Sequence, residues 1–382
     1  MGLQKNIVSL HFDIFCKVVD NYGDIGFCWR LARELAFRGQ RVTIWVDDWT
    51  CAQRLCRSTA PTDIAVRLKR WTDPFPEVAS ADVVIEAFGC DFPPRYLRKM
   101  AKSRPFPLWL NIEYLSAEAW VEDCHLNASL QPLAGMPKYF FFPGFTPATG
   151  GLLREQELEK RRAAFDGAEK ERLLNRCGLA DDSRYWISLF GYEQPVLAEL
   201  IQFWAHGGQK IALLVPEGKS VRDLAAILDR GDLQAGRRIE KGALEIAILP
   251  FSSQDDYDRL LWCCDFNIVR GEDSFVRAQW ARKPFLWHIY PQADDAHLVK
   301  LEAFLSRYAC GLAQEAGAAL AEFWRAWNRA DANRLVPAWQ ALTESRIALE
   351  RHAEDWASSL ARQPDLVSQL LAWCEHKIDG ND

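Results

Sequence analysis

Two carboxylates stand four residues apart in a loop near the start of the chain, at residues 16–26, which read Cys-Lys-Val-Val-Asp-Asn-Tyr-Gly-Asp-Ile-Gly. Asp20 and Asp24 are these acids, and the residues between them are Asn21, Tyr22 and Gly23. A carboxylate pair can fix the orientation of a cation and accept its proton. Alternatively, Asp24 caps the next helix, and Asn21 and Gly23 are turn residues. That alternative leaves Asp20 unexplained, because one carboxylate suffices for a cap.

A second loop combines a cation, a glycine and two acids directly before a predicted helix, as Arg270, Gly271, Glu272, Asp273 and Ser274. Gly271 permits close approach of the backbone, and the N–H groups of a helix N-terminus suit a diphosphate. Two adjacent carboxylates repel such a ligand. Either both acids only complement the helix dipole, or Arg270 and the N–H groups face phosphate while Glu272 faces the group that the phosphate carries and the molecule that receives it.

Aromatic residues follow two further predicted strands. Phe251 and Gln254 combine a ring that can stack on a nucleotide base with an amide that can hydrogen-bond the edge of the base. Phe190 and Tyr192 offer similar rings after their own strand. Packing in the core explains either set equally well, so both interpretations stay open.

Metal and cofactor motifs are weak in this sequence. One Asp-x-Asp occurs, at Asp256 and Asp258. It begins a predicted amphipathic helix, where acids in the first turn complement the helix dipole, so we interpret it as structural. The cysteines and histidines form no Cys-x-x-Cys pair and no four-ligand zinc pattern. No Gly-x-Gly-x-x-Gly follows the first strand, which argues against a nicotinamide cofactor.

The elements that would position these loops alternate between strands and helices. In the first half, apolar runs predict strands at 7–15, 41–46, 83–86 and 108–112, with helices at 25–38 and after Pro93-Pro94. In the second half, strands are predicted at 185–190, 210–215, 244–249, 266–269 and 284–287, with helices at 196–205, 221–230, 256–264 and 274–281. From residue 301 onward the pattern is helical only. Such alternation indicates two parallel sheets, whose ligands bind beyond the carboxyl ends of the strands.

The length of 382 residues exceeds one ordinary core and predicts two domains. A Gly/Pro/Thr loop at 143–151 and a charged run at 154–176 indicate the boundary. We therefore predict a Rossmann-like domain at 1–150, a linker at 151–180, a second Rossmann-like domain at 181–360, and a C-terminal helix at 361–382 that packs back across the domains.

Composition excludes several classes of protein. The net charge of −6 and the absence of a long basic run argue against binding to nucleic acid or to an anionic membrane surface. No apolar stretch of spanning length occurs. The 11 cysteines are an odd number without a secretory signal, which predicts free thiols in a reducing cytoplasm.

Four segments of the chain resemble the bacterial elongation factor P arginine rhamnosyltransferase family, EarP. They are residues 13–26, residues 111–118 (Asn-Ile-Glu-Tyr-Leu-Ser-Ala-Glu), residues 143–151 (Pro-Gly-Phe-Thr-Pro-Ala-Thr-Gly-Gly) and residues 270–280 (Arg-Gly-Glu-Asp-Ser-Phe-Val-Arg-Ala-Gln-Trp). The resemblance spans nearly the whole chain. It implies an α/β fold of GT-B type, with two facing Rossmann-like domains, parallel sheets and bracing C-terminal helices. The N-terminal domain would take the acceptor and the C-terminal domain the nucleotide sugar.

The resemblance also implies TDP-β-L-rhamnose as donor, inversion at the anomeric carbon, one arginine of elongation factor P as acceptor, and no metal cofactor. By position, Asp20 resembles the general base or guanidinium-orienting acid, Asp24 its supporting carboxylate, and Glu272 a second essential acid. The implied donor contacts are Asp273 and Ser274 at the diphosphate, Phe190, Tyr192, Phe251 and Gln254 at the base, and Tyr290 near the phosphate. Asn21, Tyr22, Gly23 and Arg270 complete the expected substrate contacts, and Glu113, Tyr114 and residues 145–151 are candidates for the acceptor surface.

An arginine acceptor is consistent with the carboxylates of Asp20, Asp24 and Glu272. A guanidinium has a pKa above about 12, so it needs carboxylates to orient it and to take its proton. Two alternatives remain from the residues alone. One is another nucleotide-sugar enzyme of the same fold, either a small-acceptor transferase or an epimerase. The other is a protein that binds elongation factor P without catalysis.

Overall fold

The computed structural model describes residues 9–19, 22–57, 66–91, 93–131, 135–180, 182–231 and 233–380. The chain divides into two compact units. The first unit comprises Met1–Gln156 and Gln363–Asp382, and the second comprises Glu157–Arg362. The chain therefore returns to the first unit for its last helix.

The first unit is a seven-stranded sheet in the order β3-β2-β1-β4-β5-β7-β6, parallel except for β6 against β7. Its strands are β1 (His11–Cys16), β2 (Arg41–Val46), β3 (Val66–Arg70), β4 (Val83–Ala87), β5 (Leu108–Ile112), β6 (Ala128–Gln131) and β7 (Met136–Phe141). Its helices are α1 (Gly23–Phe37), α2 (Trp49–Arg57), α3 (Pro94–Lys102), α4 (Trp120–Cys124) and the last helix of the chain, α15 (Leu366–Ile378).

The second unit has a six-stranded sheet in the order β10-β11-β9-β8-β12-β13, parallel except for β10 against β11. Its strands are β8 (Tyr185–Leu189), β9 (Ile211–Pro216), β10 (Arg238–Lys241), β11 (Leu244–Leu249), β12 (Phe266–Arg270) and β13 (Phe285–His288). Its helices are α5 (Leu158–Ala163), α6 (Gly167–Arg176), α7 (Leu197–His206), α8 (Lys219–Ile227), α9 (Gln254–Cys263), α10 (Asp273–Trp280), α11 (Ala296–Tyr308), α12 (Gln314–Asn328), α13 (Ala332–Glu344) and α14 (Arg346–Ala361).

Both sheets reverse their strand order at one point. In the first unit, β1 lies between β2 and β4, and in the second, β8 lies between β9 and β12. At such a point the loops that follow the two neighbouring strands diverge, and a crevice opens beyond their carboxyl ends. The positions that matter for ligands are therefore the ends of β1 and β4 in one unit and of β8 and β12 in the other.

The interior strands are buried on both faces, which is why they form long apolar runs. Every residue of β4, β8, β9 and β11 is buried, as expected for parallel strands with helices on both sides. The predictions for β2, β5 and β11 are confirmed to the residue. Of the four edge strands, β3, β6 and β10 are short and largely polar, so no apolar run indicated them, whereas the buried apolar β13 was predicted.

Several bounds differ from the predictions. Residues 7 and 8 of the strand predicted at 7–15 lie outside the described residues, and within the described part the strand begins at residue 11, where the backbone joins the ladder with β2. Most of the charged run at 154–176, which lies within the predicted linker at 151–180, forms α5 and α6, and the second unit begins at Glu157. These helices bury only a few leucines, so their charged surfaces masked the helical pattern.

A polar cluster ties α3 to the centre of the first sheet. The Tyr96 hydroxyl donates to Oδ2 of Asp13 at 2.6 Å, and both residues are buried. His11 lies 3.4 Å from the other carboxylate oxygen of Asp13. Burial raises the pKa of Asp13, although the bond from Tyr96 opposes this shift. The cluster lies within the sheet and not at the edge formed by the carboxyl ends of the strands, which we call the ligand-binding edge.

His288 closes β13 and is buried at the ligand-binding edge of the second sheet. Its Nδ1 accepts the N–H of Tyr192 at 3.2 Å. Burial, together with smaller effects of nearby Arg270 and His297, lowers the pKa of His288 to about 3. The ring is therefore neutral near pH 7, which keeps Nδ1 available as an acceptor.

We predict that acid destabilises the second unit through His288. Unfolded histidine takes up a proton below pH 6.5, whereas folded His288 does so only near pH 3. The unfolded state therefore binds more protons in this window, and stability is lost as the pH falls. Between pH 7 and 5 this single group lowers the free energy of unfolding by about 2 kcal/mol.

His288→Asn tests this prediction, because asparagine keeps an acceptor for the Tyr192 N–H but does not titrate. Its free energy of unfolding in urea should fall less over that range, and identical pH dependence in both proteins would contradict the prediction.

Candidate functional site

Asp24 organises the loop that follows β1. It lies in the first turn of α1 and is buried. Its Oδ2 accepts the backbone N–H of Val19 at 2.7 Å, and its Oδ1 accepts the hydroxyl of Tyr114 at 3.2 Å. Asp47 accepts the N–H of Val18 at 2.9 Å and holds the same loop from β2. Asp24 is therefore not the helix cap, and the capping alternative is wrong: the N-cap is Tyr22, without a side-chain bond.

The loops after β4 and β5 meet beside this carboxylate. Phe88 directly follows β4 and stacks on Tyr114, with ring centroids 4.2 Å apart and planes 8° from parallel. Asn111, in β5, accepts the N–H of Gly89 at 2.9 Å and also donates to Glu113. The edge of the first unit thus presents two carboxylates and two stacked rings around the point where the strand order reverses.

The structure describes two of the four other residues that were predicted in this segment. Asp20 and Asn21 lie outside the described residues. Tyr22 is the N-cap of α1, and Gly23 is its first residue. The described neighbours of Asp20 in the chain, Val18 and Val19, have their N–H groups bonded to carboxylates.

Arg270 is the centre of the candidate site in the second unit. It is the last residue of β12 and is buried. Its guanidinium carbon lies 4.7 Å from the ring centre of Phe190 and 4.9 Å from that of Tyr192, which are cation–π distances. The structure therefore brings together three predicted residues from the two strands at the reversal point.

A rigid turn after β8 holds these rings. Ser220, at the start of α8, accepts the N–H of Gly191 at 2.9 Å and donates to its carbonyl at 3.2 Å. A Cβ at Gly191 would lie 3.1 Å from Nδ1 of His288, so a larger residue there would force the His288 ring to shift by a few tenths of an ångström. Tyr192 is buried, and its ring meets Tyr290 edge to face at 5.2 Å. Tyr192 therefore has less open ring surface than the exposed Tyr290.

The loop between β12 and α10 also has defined geometry. Gly271 has a φ of +59°, which favours glycine, and its carbonyl accepts the Trp287 indole N–H at 2.8 Å. Glu272 occupies the N-cap of α10 without a side-chain capping bond. The hydroxyl of Ser274 bonds to the backbone of Arg270, so phosphate would meet the backbone N–H of Ser274 in preference to its hydroxyl. Asp273 is half-buried in the first turn.

The remaining predicted residues surround α9. Phe251 is half-buried before the helix, and Gln254 is its buried first residue. In the Asp-x-Asp, Asp258 receives two bonds from the guanidinium of Arg277, at 2.8 and 2.7 Å, and both side chains are buried. Asp256 accepts from Arg259 at 2.9 Å. Both carboxylates are thus committed to arginines within the packing of α9 and α10.

Three residues at these edges escaped the sequence analysis. Phe88 follows β4, His288 ends β13, and Ser220 lies in the first turn of α8. All three are therefore at the edges where the strands end. His288 was visible as the residue after a predicted strand at 284–287. Phe88 and Ser220 gave no signal, because their contacts are made to residues distant in the chain.

All 11 cysteines are thiols, as expected from their odd number. Among the described residues, no helix has the length and apolar character needed to span a membrane. Within that same set, no group of three or more histidine, cysteine or acidic side chains is arranged to hold a metal ion.

The family relation is clear from comparison with known proteins. A family model described as the elongation factor P (EF-P) rhamnosyltransferase EarP matches residues 12–375. The chain is 49% identical over 376 residues to the protein-arginine rhamnosyltransferase of Pseudomonas putida, which covers 96% of this chain and 99% of that relative. The resemblance identified in the four sequence segments is thereby confirmed.

Solved structures agree in fold. One, described as the structural basis for EarP-mediated arginine glycosylation of translation elongation factor EF-P, is 38% identical with a TM-score of 0.68 and covers 96% of this chain and 99% of that chain. MurG from Acinetobacter baumannii is 13% identical with a TM-score of 0.51, covers 96% and 99%, and shows the fold alone. The predicted GT-B class is confirmed. The chain is a glycosyltransferase and belongs to the elongation factor P rhamnosyltransferase family, EarP.

Proposed function

We propose that this enzyme transfers L-rhamnose from TDP-β-L-rhamnose to one arginine of elongation factor P, with inversion at the anomeric carbon. The observation that carries the proposal is the identity of 49% to a protein-arginine rhamnosyltransferase across almost the full length of both proteins. The acidic, aromatic edge of the first unit and the buried arginine of the second support it. A translation factor as acceptor also leads us to infer a cytoplasmic location.

The acceptor requires carboxylates. A guanidinium is protonated at neutral pH and is a poor nucleophile. In our proposal Asp20 orients the guanidinium and accepts the proton as the new C–N bond forms, while Asp24 fixes the loop that carries Asp20. The bond from Val19 N–H to Asp24 supports this division of roles, since Val19 is the residue next to Asp20. Glu272 is the further acid that we assign to the reaction.

The donor requires positive charge where its diphosphate leaves. Inversion breaks the bond between the anomeric carbon and the diphosphate oxygen as the guanidinium nitrogen attacks from the opposite side. We assign the stabilisation of the leaving diphosphate to Arg270 and to the N–H groups at Asp273 and Ser274, where the dipole of α10 favours an anion. The base would lie against Phe190 and Phe251, with Gln254 at its edge. We also assign Tyr192 to the pocket for the base and Tyr290 to the neighbourhood of the phosphates.

We predict that the purified enzyme, TDP-rhamnose and elongation factor P yield an acceptor heavier by one deoxyhexose, together with free TDP. Intact-mass and fragment-ion spectra locate the sugar. An acceptor in which the target arginine is replaced by lysine should remain unmodified, because lysine cannot present a planar guanidinium. Binding of elongation factor P without any transfer, or equal modification of the lysine variant, would contradict the proposal.

We predict that Asp20→Asn lowers turnover by a factor of at least about 100 while TDP-rhamnose still binds, because the amide keeps the shape but cannot accept a proton. Single-turnover transfer, calorimetric donor binding and melting temperature are measured on one preparation. The matched control is Asp47→Asn, which removes a charge that contacts the same loop from the end of β2 but keeps an acceptor for the Val18 N–H. The control should work nearly normally. Near-normal transfer by Asp20→Asn would remove Asp20 from the mechanism and make Glu272 the leading candidate base.

We predict that transfer survives chelation by EDTA. The one Asp-x-Asp of the chain is occupied by arginine contacts at Asp256 and Asp258, and a helix N-terminus with Arg270 can hold the diphosphate. The rate is measured after exhaustive dialysis against the chelator, with magnesium or manganese added back in parallel. Loss of transfer that either metal restores would show that a metal ion takes part.

A further inference from the structure

Tyr114 is a large aromatic residue left exposed at the ligand-binding edge of the first unit. Its exposed fraction is 41%, whereas Phe88, on which it stacks, is half-buried and Phe27, next to Phe88, is buried. It is the second residue after β5, so it projects from the carboxyl end of a strand next to β4. An exposed ring in that position has a surface on which a flat ligand can lie.

Phe88 supports the ring of Tyr114 from one side. The two rings stack in parallel at 4.2 Å, and Phe27, in α1, lies 5.3 Å behind Phe88. Phe88 has a φ of +57°, which is unfavourable for a residue with a Cβ. Its N–H bonds to the carbonyl of Ile112 at 2.8 Å, and the next N–H, of Gly89, bonds to Asn111. The backbone thus maintains an uncommon conformation that brings the two rings together.

The hydroxyl of Tyr114 reaches the carboxylate that organises the catalytic loop. It donates to Oδ1 of Asp24 at 3.2 Å, while Oδ2 of Asp24 holds the Val19 N–H at 2.7 Å. A planar cation lying on the ring of Tyr114 is therefore next to a buried carboxylate. One residue supplies both a ring face and a contact that orients the acid.

We propose that Phe88 and Tyr114 form an aromatic platform on which the guanidinium of the acceptor arginine stacks, beside Asp24. This inference rests on the proposed function and names what selects the acceptor side chain. The ring attracts the cation through its quadrupole, and its flat face matches the planar guanidinium. A lysine ammonium is compact and strongly hydrated, so it gains less from this surface. The hydroxyl of Tyr114 acts separately, by positioning Asp24.

Three substitutions at one position separate the ring from the hydroxyl. Tyr114→Leu removes the platform, and the KM for elongation factor P should rise about 5- to 30-fold. Tyr114→Phe keeps the ring but loses the bond to Asp24, so kcat should fall about 3- to 10-fold at nearly unchanged KM. Tyr114→Trp restores a broad ring and should recover the acceptor KM. The KM for TDP-rhamnose should stay unchanged in all three.

The matched control is Phe106→Leu. Phe106 is also an exposed ring, but it precedes β5 and lies at the opposite end of that strand. Its loss should leave both KM values unchanged, with melting temperature as the check on folding. An unchanged acceptor KM in Tyr114→Leu, or a rise that Tyr114→Trp fails to reverse, overturns the platform while transfer to arginine by the wild-type enzyme still supports the proposed function. Absence of transfer by the wild-type enzyme overturns both.

Discussion

The reversal of strand order beside β1 and β8 is the constraint on which the candidate sites depend. Parallel strands end on the same edge, and their loops diverge only where the order turns back. Asp24 follows β1, Phe88 follows β4, Phe190 follows β8 and Arg270 ends β12. No two of these residues are neighbours in the sequence. The topology alone brings the first pair of strand ends together in one unit and the second pair in the other.

The parts of the fold that could be predicted are those where burial dictates residue type. Strands such as β2 and β11 form apolar runs, because helices cover both sheet faces. Edge strands and short charged helices carry no such signal. β3 reads Val-Arg-Leu-Lys-Arg, and its polarity protects an open edge from pairing with other chains. α5 and α6 are rich in charged residues and bury only Leu158, Leu173 and Leu174, so no apolar stripe distinguished them from a linker.

The candidate residues could be located from the sequence, but their roles could not. The segments that link strands to the next helices were the expected places: Arg270 ends β12, Glu272 is the N-cap of α10, and Asp24 lies in the first turn of α1. The contacts that define a role join distant residues: Tyr114 and Asp24 are 90 positions apart, and Tyr192 and His288 are 96 apart. The local sequence pattern indicated that Asp24 is either a helix cap or a catalytic acid. In the structure its carboxylate accepts hydrogen bonds from a loop N–H and from the hydroxyl of Tyr114. Such assignments depend on packing that no local spacing encodes.

The two ligand-binding edges differ in charge in a way that suits two substrates of opposite charge. Around the end of β1, buried Asp24 is combined with stacked rings, a setting that favours a delocalised cation. Around the end of β12, Arg270 is buried between two rings near a helix N-terminus, a setting that favours an anion. Burial strengthens both preferences, because the surrounding medium screens charge less than water does. In our proposal the acceptor guanidinium binds at the first edge and the donor diphosphate at the second, where Arg270 and the N–H groups of α10 must outweigh the adjacent carboxylates of Glu272 and Asp273. Electrostatics would then direct each substrate to its own unit, and the aromatic surfaces at both edges would favour flat groups among the ligands of the right charge.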